Sequence, residues 1–408
     1  YEIMPSLVGS EMCIRDRLYT LQGGDSMPLS HRERVIKALS HQEPDRIPLD
    51  LGSTVCSSVH ITEYQKLKAY FGIEAEDTII NKMMQTAAVH EPILQALDID
   101  LRLVLPGAPD SRPIIPVGED GYQDEYGVVR RKPPSSLYYD LVKSPLAGPI
   151  TIQDILNFPW PDPSDPGYTR GVREQLLYYR ENTDYATVLR LPVPFVHTTQ
   201  FLRGFEDWFT DLAVDKKLAG ALFDAAVEHN AAVAEQILKV GGDLADVVAF
   251  ADDLGFQNGP IVSPELYREL FKPRHKKYFD TVKKYTSAFI HFHCCGSIYK
   301  LLDDLIELGV DVLNPVQVAA KDMDSSILGR EFGDRLSFWG AIDTQVVLSK
   351  GTTEDVKAEV RRRIQDLAPD GGYILAAVHN IQPGVPVENI IAMFEAGKEY
   401  GKYPIEQD

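Results

Sequence analysis

The densest set of metal-binding side chains in the sequence is the run HFHCCG at residues 291–296. In a strand, alternate residues share a face, so His291, His293 and Cys295 would point the same way. Imidazole together with a thiolate suits zinc, and a catalytic zinc needs three protein ligands. His379 in the later segment AVHNIQPG is placed to supply the third. The expectation is therefore a zinc site of His293, Cys295 and His379, with His291 as the alternative to His293, or else a metal-free pocket of hydrogen-bonded histidines.

Two further cysteines have a plainer interpretation. Cys294 lies on the opposite face of the same strand, and a buried free cysteine behaves as a small hydrophobic residue. Cys56 follows the first predicted strand and can offer another thiolate, but we interpret it as packed, as most cysteines are. Four cysteines in 408 residues are too few for a disulfide scaffold.

Two consecutive carboxylates, Asp252 and Asp253, are the predicted catalytic pair; they can act as acid and base or bind a polar substrate, and the plainer alternative, capping the helix that starts near SPEL, is already met by Ser263. One functional aspartate is favoured, because two adjacent carboxylates rarely both stay ionised in one pocket. Arg203 can anchor a substrate carboxylate or form a structural ion pair with Glu206, and Asp343 can equally orient ligands. The residues predicted to contact substrate are Arg203, Gln257, Gln317, Asp343 and Gln345.

These residues fall at the ends of short β-rich runs that alternate with amphipathic helical stretches. The predicted strands are 46–52, 98–105, 185–191, 244–250, 287–294, 311–316, 336–342 and 373–379. Eight such alternations are typical of an α/β chain folded as a single (β/α)8 TIM barrel. A doubly wound sheet is the competitor, but no GxGxxG loop follows the first strand. Active sites of such barrels lie at the carboxyl ends of the strands, where the polar candidates gather.

Two segments depart from this pattern. Residues 106–168 hold 12 of the 27 prolines and two runs that can pair as a hairpin, which predicts an insertion over the carboxyl-terminal rim. Residues 1–26 show neither helical nor strand periodicity and resemble translated adapter sequence, so we interpret them as a non-native or disordered extension. The barrel then occupies residues 27–408, with a natural start at Met27.

Composition excludes several classes of protein. The formal net charge is −19 with no long basic block, which argues against nucleic-acid binding. The sequence has no run of about 18 apolar residues, the length that a membrane-spanning helix requires. The expectation is a cytoplasmic enzyme acting on a small molecule.

Several motifs carry a family resemblance over about residues 30 to 403. They are HRERVIKALSHQEPDRIPLDLG, LRGFEDWFTDLAVD, DDLGFQNGPIVSPELYRELFKPRHK, HFHCCGSI, LNPVQV, GAIDTQVVL and HNIQPGVPVENIIAMFEAG. In this order they resemble the uroporphyrinogen decarboxylase superfamily. The resemblance implies a (β/α)8 barrel with its pocket at the carboxyl-terminal rim.

The superfamily contains two chemistries, and the sequence shares features with both. True decarboxylases act on a tetrapyrrole without a metal and carry an arginine-rich amino-terminal motif, whereas the equivalent stretch 49–60 here has no arginine. The other branch, zinc-dependent methyltransferases that work with corrinoid proteins, carries H-x-C-G, matched here by His293, Cys295 and Gly296. His379 stands where that branch has a second cysteine.

The resemblance therefore implies a zinc-dependent methyltransferase or demethylase that transfers a methyl group between a small substrate and a corrinoid protein, with a homodimer as a possible assembly. The alternative is a decarboxylase acting on a tetrapyrrole or another carboxylate, whose activity would depend on Arg203. A third class, a non-catalytic corrinoid or tetrapyrrole carrier, would not need so polar a rim.

Overall fold

The computed structural model describes residues 28–406 of the chain. The extension expected at residues 1–26 and the start expected at Met27 lie outside the described residues. The first described helix, His31–Leu39, begins with a capping box: the Ser30 side chain accepts from the Glu33 backbone N–H, and the Glu33 side chain accepts from the Ser30 backbone N–H.

A curled parallel sheet forms the centre of the described residues. Within residues 28–406 its seven strands, β1 to β7, are Leu101–Val104, Ala186–Arg190, Val247–Ala251, Phe289–His293, Val312–Asn314, Ser337–Ile342 and Tyr373–Ala377. Each strand pairs in parallel with the next one along the chain. Because parallel neighbours run the same way, the carboxyl ends of all these strands lie at one edge.

The segment expected to be the first strand, 46–52, forms only isolated bridges. Leu49 bridges Leu375 in parallel, and the Asp50 backbone N–H donates to the Leu375 carbonyl at 2.9 Å. On the other side, the Asp100 N–H donates to the Leu49 carbonyl at 3.0 Å. Pro48 has no N–H to donate, which limits the ladder to a short stretch. The segment nevertheless links the two edge strands β1 and β7, an arrangement compatible with a TIM-barrel-like fold.

Helices connect the strands and cover the outer face of the sheet. The longer ones, α1 to α10, are His31–Leu39, Ile61–Tyr70, Val172–Asn182, Val196–Arg203, Phe205–Val214, Lys216–Gly241, Lys272–Tyr285, Ser325–Phe332, Thr353–Leu367 and Val387–Tyr400. Shorter helical segments are Glu91–Ala96, Ile152–Leu156, Pro166–Tyr168, Pro264–Leu266, Tyr267–Phe271, Tyr299–Leu301, Leu302–Leu308 and Val347–Lys350. No helix among the described residues is both long and apolar enough to cross a bilayer.

The proline-rich segment 106–168 contains a sheet of its own. Its antiparallel strands are Ile115–Val117, Gly121–Gln123, Val129–Arg131 and Asp140–Lys143, and the last two pair as the sequence indicated. Tyr138 ties this segment to the chain beyond β7: its hydroxyl donates to Asn380 at 3.3 Å and accepts from Gln382 at 2.6 Å. The remaining short strands are Val59–His60, Ile79–Asn81, Thr86–Ala87, Gly255–Phe256 and Gly259–Pro260.

Two hydrophobic layers fix the orientation of the strands. Side chains such as Val188, Ala249, Val312 and Trp339 pack together inside the curl of the sheet. The alternate residues, such as Phe250, pack outward in the larger core that includes helix residues. Every second residue of a strand therefore faces the interior. The polar residues at the strand ends continue this alternation, so they too point alternately inward and outward.

Candidate metal centre

Strand β4 carries the two central donors of the candidate site. His293 is its last residue, and Cys295 follows two positions later, so both face the interior. The Cys295 Sγ lies 3.3 Å from the His293 Nε2. Cys294, between them, is fully buried in the outer hydrophobic core, and its sulfur accepts from the Leu254 N–H at 3.2 Å.

Two groups of possible ligand atoms overlap at His293. In one group, atoms of Cys56, His293 and His379 all lie within 4.8 Å of one another; in the other, atoms of Asp253, His293 and Cys295 do. The structure thus brings together the three predicted ligands and adds a thiol and a carboxylate. Sulfur and imidazole donors at this spacing fit a zinc ion.

Both imidazole rings are oriented by neighbouring amides. The Nδ1 of His293 donates to the Asn314 Oδ1 at 2.6 Å, and the Asn314 amide group donates in turn to the Trp339 carbonyl at 3.0 Å. The Nδ1 of His379 hydrogen-bonds to the Asn380 Oδ1. Each bond leaves Nε2 free to bind a metal, as is usual for metal-bound histidines.

The electrostatics of the cluster favour thiolates. Burial raises the pKa of the Cys56 thiol, but the charges of His293 and His379 outweigh that effect and hold the pKa well below its ordinary value. The pKa of Cys295 is also lowered, because His293 outweighs burial. The thiolate is the form of cysteine that binds metals, so the apolar surroundings do not keep these two sulfurs protonated.

The two consecutive aspartates have different surroundings. Asp253 faces the cluster: it accepts from the Cys295 N–H at 2.8 Å and lies 3.7 Å from the His197 Nε2. Burial raises the pKa of its carboxyl, but His197 and His293 lower the pKa below its usual range.

Asp252 is fully buried and faces the helices. Its carboxylate accepts from the backbone N–H groups of Phe195, Val196 and His197 at 3.0–3.2 Å, and from the His275 Nε2 at 3.2 Å. Asp252 therefore accepts hydrogen bonds from the N–H groups at the start of α4 and does not face the pocket. This position differs from the catalytic role expected for it. The side chain of Ser263 caps the short helix Pro264–Leu266.

His291 stays apart from the cluster. It faces the interior as expected, one layer deeper than His293, with its ring 4.9 Å from that of Trp339. Neither ring nitrogen has a hydrogen-bond partner among the described residues. Burial and the charge of His293 lower the pKa of His291 to about 3, so the ring is neutral. The structure thus does not bring this alternative ligand to the other donors.

Two predicted glutamines lie beside the cluster. The Gln317 side-chain oxygen accepts from the Gly296 N–H at 2.7 Å, and its amide nitrogen donates to Gln257 at 3.3 Å. Gln257 in turn donates to the Ala319 carbonyl. This chain fixes the turn that follows Cys295.

The other three residues predicted to contact substrate are Arg203, Asp343 and Gln345. Arg203 is buried, pairs with Asp211 at 2.7 Å and donates to the carbonyls of Leu146 and Gly148. Its guanidinium therefore ties α4 to the proline-rich segment, and the expected pairing with Glu206 is replaced by Asp211.

Asp343 accepts from the N–H groups of Val346 and Val347 at 2.6 and 3.2 Å, which caps the short helix Val347–Lys350. Gln345 is exposed to solvent. Within the described residues, neither Asp343 nor Gln345 belongs to the two groups of possible metal ligands.

Three residues near the cluster were not singled out as site residues from the sequence. Cys56 was interpreted as packed, but the structure places it among the donors. His197 faces Asp253. Arg190 is the last residue of β2 and lies close enough to Cys56 for the thiolate charge to raise the pKa of its guanidinium. Arg190 and His197 had a usable signal, because Arg190 lies at the end of the predicted run YATVLRL and His197 follows that run. Cys56 lies in an irregular turn without periodicity.

Comparison with known proteins adds a family and a fold. The family model described as "Uroporphyrinogen decarboxylase (URO-D)" matches residues 149–400. "Methylcobamide:CoM methyltransferase MtbA" of Methanosarcina acetivorans is 25% identical over 198 residues, which is 47% of this chain and 52% of that protein. The protein of the same name from Methanosarcina mazei is 26% identical over 199 residues, with the same coverage.

The chain spans about half the length of these curated relatives. A solved structure described as "methyltransferase from Methanosarcina mazei" superposes with a TM-score of 0.65 at 18% identity, covering 91% of this chain and 99% of that one. This likeness supports the α/β fold with a curled parallel sheet.

Proposed function

Because the chain belongs to the uroporphyrinogen decarboxylase family, we propose that it is a zinc-dependent methyltransferase that transfers a methyl group between a small substrate and a corrinoid protein. The observation that carries the proposal is the donor cluster of Cys56, His293, Cys295 and His379. A metal-free decarboxylase has no need of two activated thiolates facing two oriented imidazoles.

The proposal includes the architecture of the chain. We take the described residues, 28–406, as a single (β/α)8 barrel whose first strand is the short segment 47–50 that links β1 and β7. In this proposal the segment 106–168 is an insertion over the carboxyl-terminal rim.

In the metal site, His293, Cys295 and His379 would hold zinc, with Cys56 as a further thiolate donor. Zinc bound there would act as a Lewis acid that activates a thiol or an ether oxygen of the substrate. Asp253 keeps its negative charge beside the cluster and is the group placed to accept a proton from substrate. Gln317 and Gln257 shape the substrate side of the turn after Cys295.

The corrinoid partner is supported by the relatives. Both Methanosarcina proteins are named methylcobamide:CoM methyltransferases, and their matches to this chain cover about half of their own length. Because the cluster depends on free thiols, we place the reaction in the reducing cytoplasm.

The decarboxylase alternative has less support from the site. It required Arg203 to hold a substrate carboxylate, but the guanidinium of Arg203 is occupied by Asp211 and by two carbonyl oxygens. No specific contact in the described residues favours that reaction over methyl transfer.

Elemental analysis tests the metal site directly. We expect stoichiometric zinc in the purified protein, loss of zinc in Cys295→Ala, and retained zinc in the control Cys294→Ala, whose sulfur lies in the hydrophobic core. A wild-type protein without zinc, after expression in zinc-rich medium, would contradict the metal site and make decarboxylation the leading function.

Methyl transfer is tested with methylcob(III)alamin and a panel of small thiols, followed by the visible spectrum of the corrinoid. The expected result is thiol-dependent demethylation that is lost in Cys295→Ala and kept in Cys294→Ala. A zinc-loaded protein that demethylates the corrinoid with none of the thiols, and also releases no methyl group from methyl ethers, would contradict the proposed reaction.

A further inference from the structure

A cavity of about 280 Å³ adjoins the candidate metal centre. Both the proline-rich segment and the parallel sheet line it. Val55, one of its walls, directly precedes Cys56, and the loop after β2 supplies another wall from Arg190 onward. A small molecule in this cavity would therefore lie near Cys56.

Arg190 lies in the wall of this cavity and has no carboxylate partner within residues 28–406. Its Nε donates to the Leu191 carbonyl at 3.0 Å, and no carboxylate within the described range of the chain forms an ion pair with it. Burial lowers the pKa of Arg190, although the thiolate of Cys56 raises it. The terminal guanidinium nitrogens are left to bind an anion, and a carboxylate matches their paired geometry.

Glu125 lies in the wall of the same cavity, and its carboxylate has no ion-pair partner among the described residues. Its neighbour Asp124 pairs with Arg130 at 2.5 Å, and Arg112 donates to the backbone carbonyl of Glu125 at 3.5 Å, not to its carboxylate. Burial and the charge of Asp124 raise the pKa of Glu125, so an added cation would be favourable there. In the portion of the chain that the structure describes, no basic side chain forms an ion pair with Glu125.

A tyrosine hydroxyl in the cavity wall also lacks a partner. Tyr168 is only 7% exposed, and its hydroxyl makes no hydrogen bond among the described residues. The charge of Glu125 contributes to the raised pKa of Tyr168, so the two groups are near each other. Tyr126, beside them, is held in place by a hydrogen bond of 3.3 Å to Asn230. A buried polar group without a partner is unusual enough to indicate a missing ligand atom.

We propose that this cavity binds the ammonium carboxylate end of an amino-acid substrate, with Arg190 on the carboxylate and Glu125 on the ammonium group. A zwitterion supplies one charge of each sign, whereas a simple anion would leave Glu125 without a cation and a simple amine would leave Arg190 without an anion. The Tyr168 hydroxyl gains a hydrogen-bond partner in the same group.

This inference names the substrate class of the proposed methyltransferase and rests on that function. Because Val55 and Arg190 border the cavity near Cys56, the proposal places the side chain of a bound amino acid on the side of the Cys56 thiolate. The reacting atom would then be carried by that side chain.

The test is a calorimetric titration of the full chain, as purified, with three probes that differ only in charge. L-Norleucine carries both charges, hexanoate only the carboxylate, and n-pentylamine only the ammonium group. We expect norleucine to bind at least about tenfold more tightly than either of the others, as one lost charge-assisted hydrogen bond would require.

Variants then assign each charge. Arg190→Gln should weaken norleucine and hexanoate at least about tenfold, and Glu125→Gln should weaken norleucine and pentylamine but leave hexanoate unchanged. Arg170→Gln is the control, because Arg170 is exposed and pairs with Asp110 away from the cavity. Circular dichroism of each variant checks that it is folded.

Two results would overturn the inference: norleucine binding no more tightly than hexanoate, or an Arg190→Gln affinity equal to that of the wild type in a folded protein. Norleucine has no transferable methyl group and no metal-binding side chain. Its binding can therefore fail while the zinc and corrinoid assays succeed, and can succeed while those assays fail.

Discussion

Asp253 accepts a hydrogen bond of 2.8 Å from the backbone N–H of Cys295. This bond joins the carboxyl end of β3 to the turn that presents a candidate metal ligand. The preceding residue, Asp252, turns the other way and caps α4. Two neighbouring carboxylates thus have different surroundings: Asp253 faces the candidate metal centre, and Asp252 holds the start of α4.

The first prediction separates these two aspartates. Asp252→Ala should lower the free energy of unfolding by about 2–3 kcal/mol, because buried N–H groups of α4 and the ring of His275 lose their acceptor. Asp253→Asn should change stability little and reduce methyl transfer. Urea unfolding and the corrinoid assay measure the two effects, and equal stability losses in both variants would contradict the assignment.

The second prediction concerns the orientation of a ligand ring. Asn314→Ala should weaken zinc binding about 10–100-fold, because the Nδ1 of His293 loses the acceptor that fixes the ring. Competition with a chromophoric chelator measures the affinity. Asn182→Ala, at the exposed end of α3, is the control and should keep the wild-type affinity. An unchanged affinity in Asn314→Ala would mean that His293 is held by other contacts.

The third prediction is that Arg203 supports the fold and does not contact substrate. Arg203→Ala should lower the free energy of unfolding by about 3–5 kcal/mol, because it leaves the buried carboxylate of Asp211 unpaired. Calorimetric titration of the folded variant with norleucine should give the wild-type affinity. A stable variant with weakened binding would return Arg203 to the substrate site expected from the sequence.

The fourth prediction is a pH dependence at His229, which is buried between Trp160 and Asn230. Burial lowers its pKa in the folded protein, with a further contribution from Arg112, whereas hydrogen bonds to Asn230 and the Pro161 carbonyl raise it. Below its ordinary pKa of about 6.5 the unfolded chain binds a proton that the folded chain does not, so stability falls as pH falls below that value.

The variant His229→Gln should remove this contribution. The free energy of unfolding, measured in urea between pH 7.5 and 5, should fall less steeply with acidification in the variant than in the wild type, by up to about 1.4 kcal/mol per pH unit. Identical slopes would show that His229 takes up its proton without unfolding.

The sequence predicted the sheet better than it predicted the site. Strand alternation correctly placed His293 and Cys295 together and Cys294 in the core. The same rule, applied to β3, distinguishes Asp252 from Asp253: Ala249 faces inward and Phe250 outward, so Asp253 follows the inward series and Asp252 the outward one.

Cys56 could not be predicted in the same way. It lies in an irregular turn after the segment 47–50, where Asp50 accepts from the Ser53 N–H at 3.0 Å and Ser57 hydrogen-bonds back to Thr54. Such turns have no periodicity, and the direction of the thiol depends on contacts made far away in the chain. The cysteine alone therefore carried no signal about its neighbours.

The spread of the donors along the chain has a consequence for biosynthesis. Cys56 and His379 are 379 − 56 = 323 residues apart, and His379 is near the end of a 408-residue sequence. At ribosomal rates of about 5–20 residues per second, roughly 16–65 seconds separate their synthesis. A nascent chain that stops before residue 379 lacks a ligand, so the complete site can be filled only after residue 379 has been made.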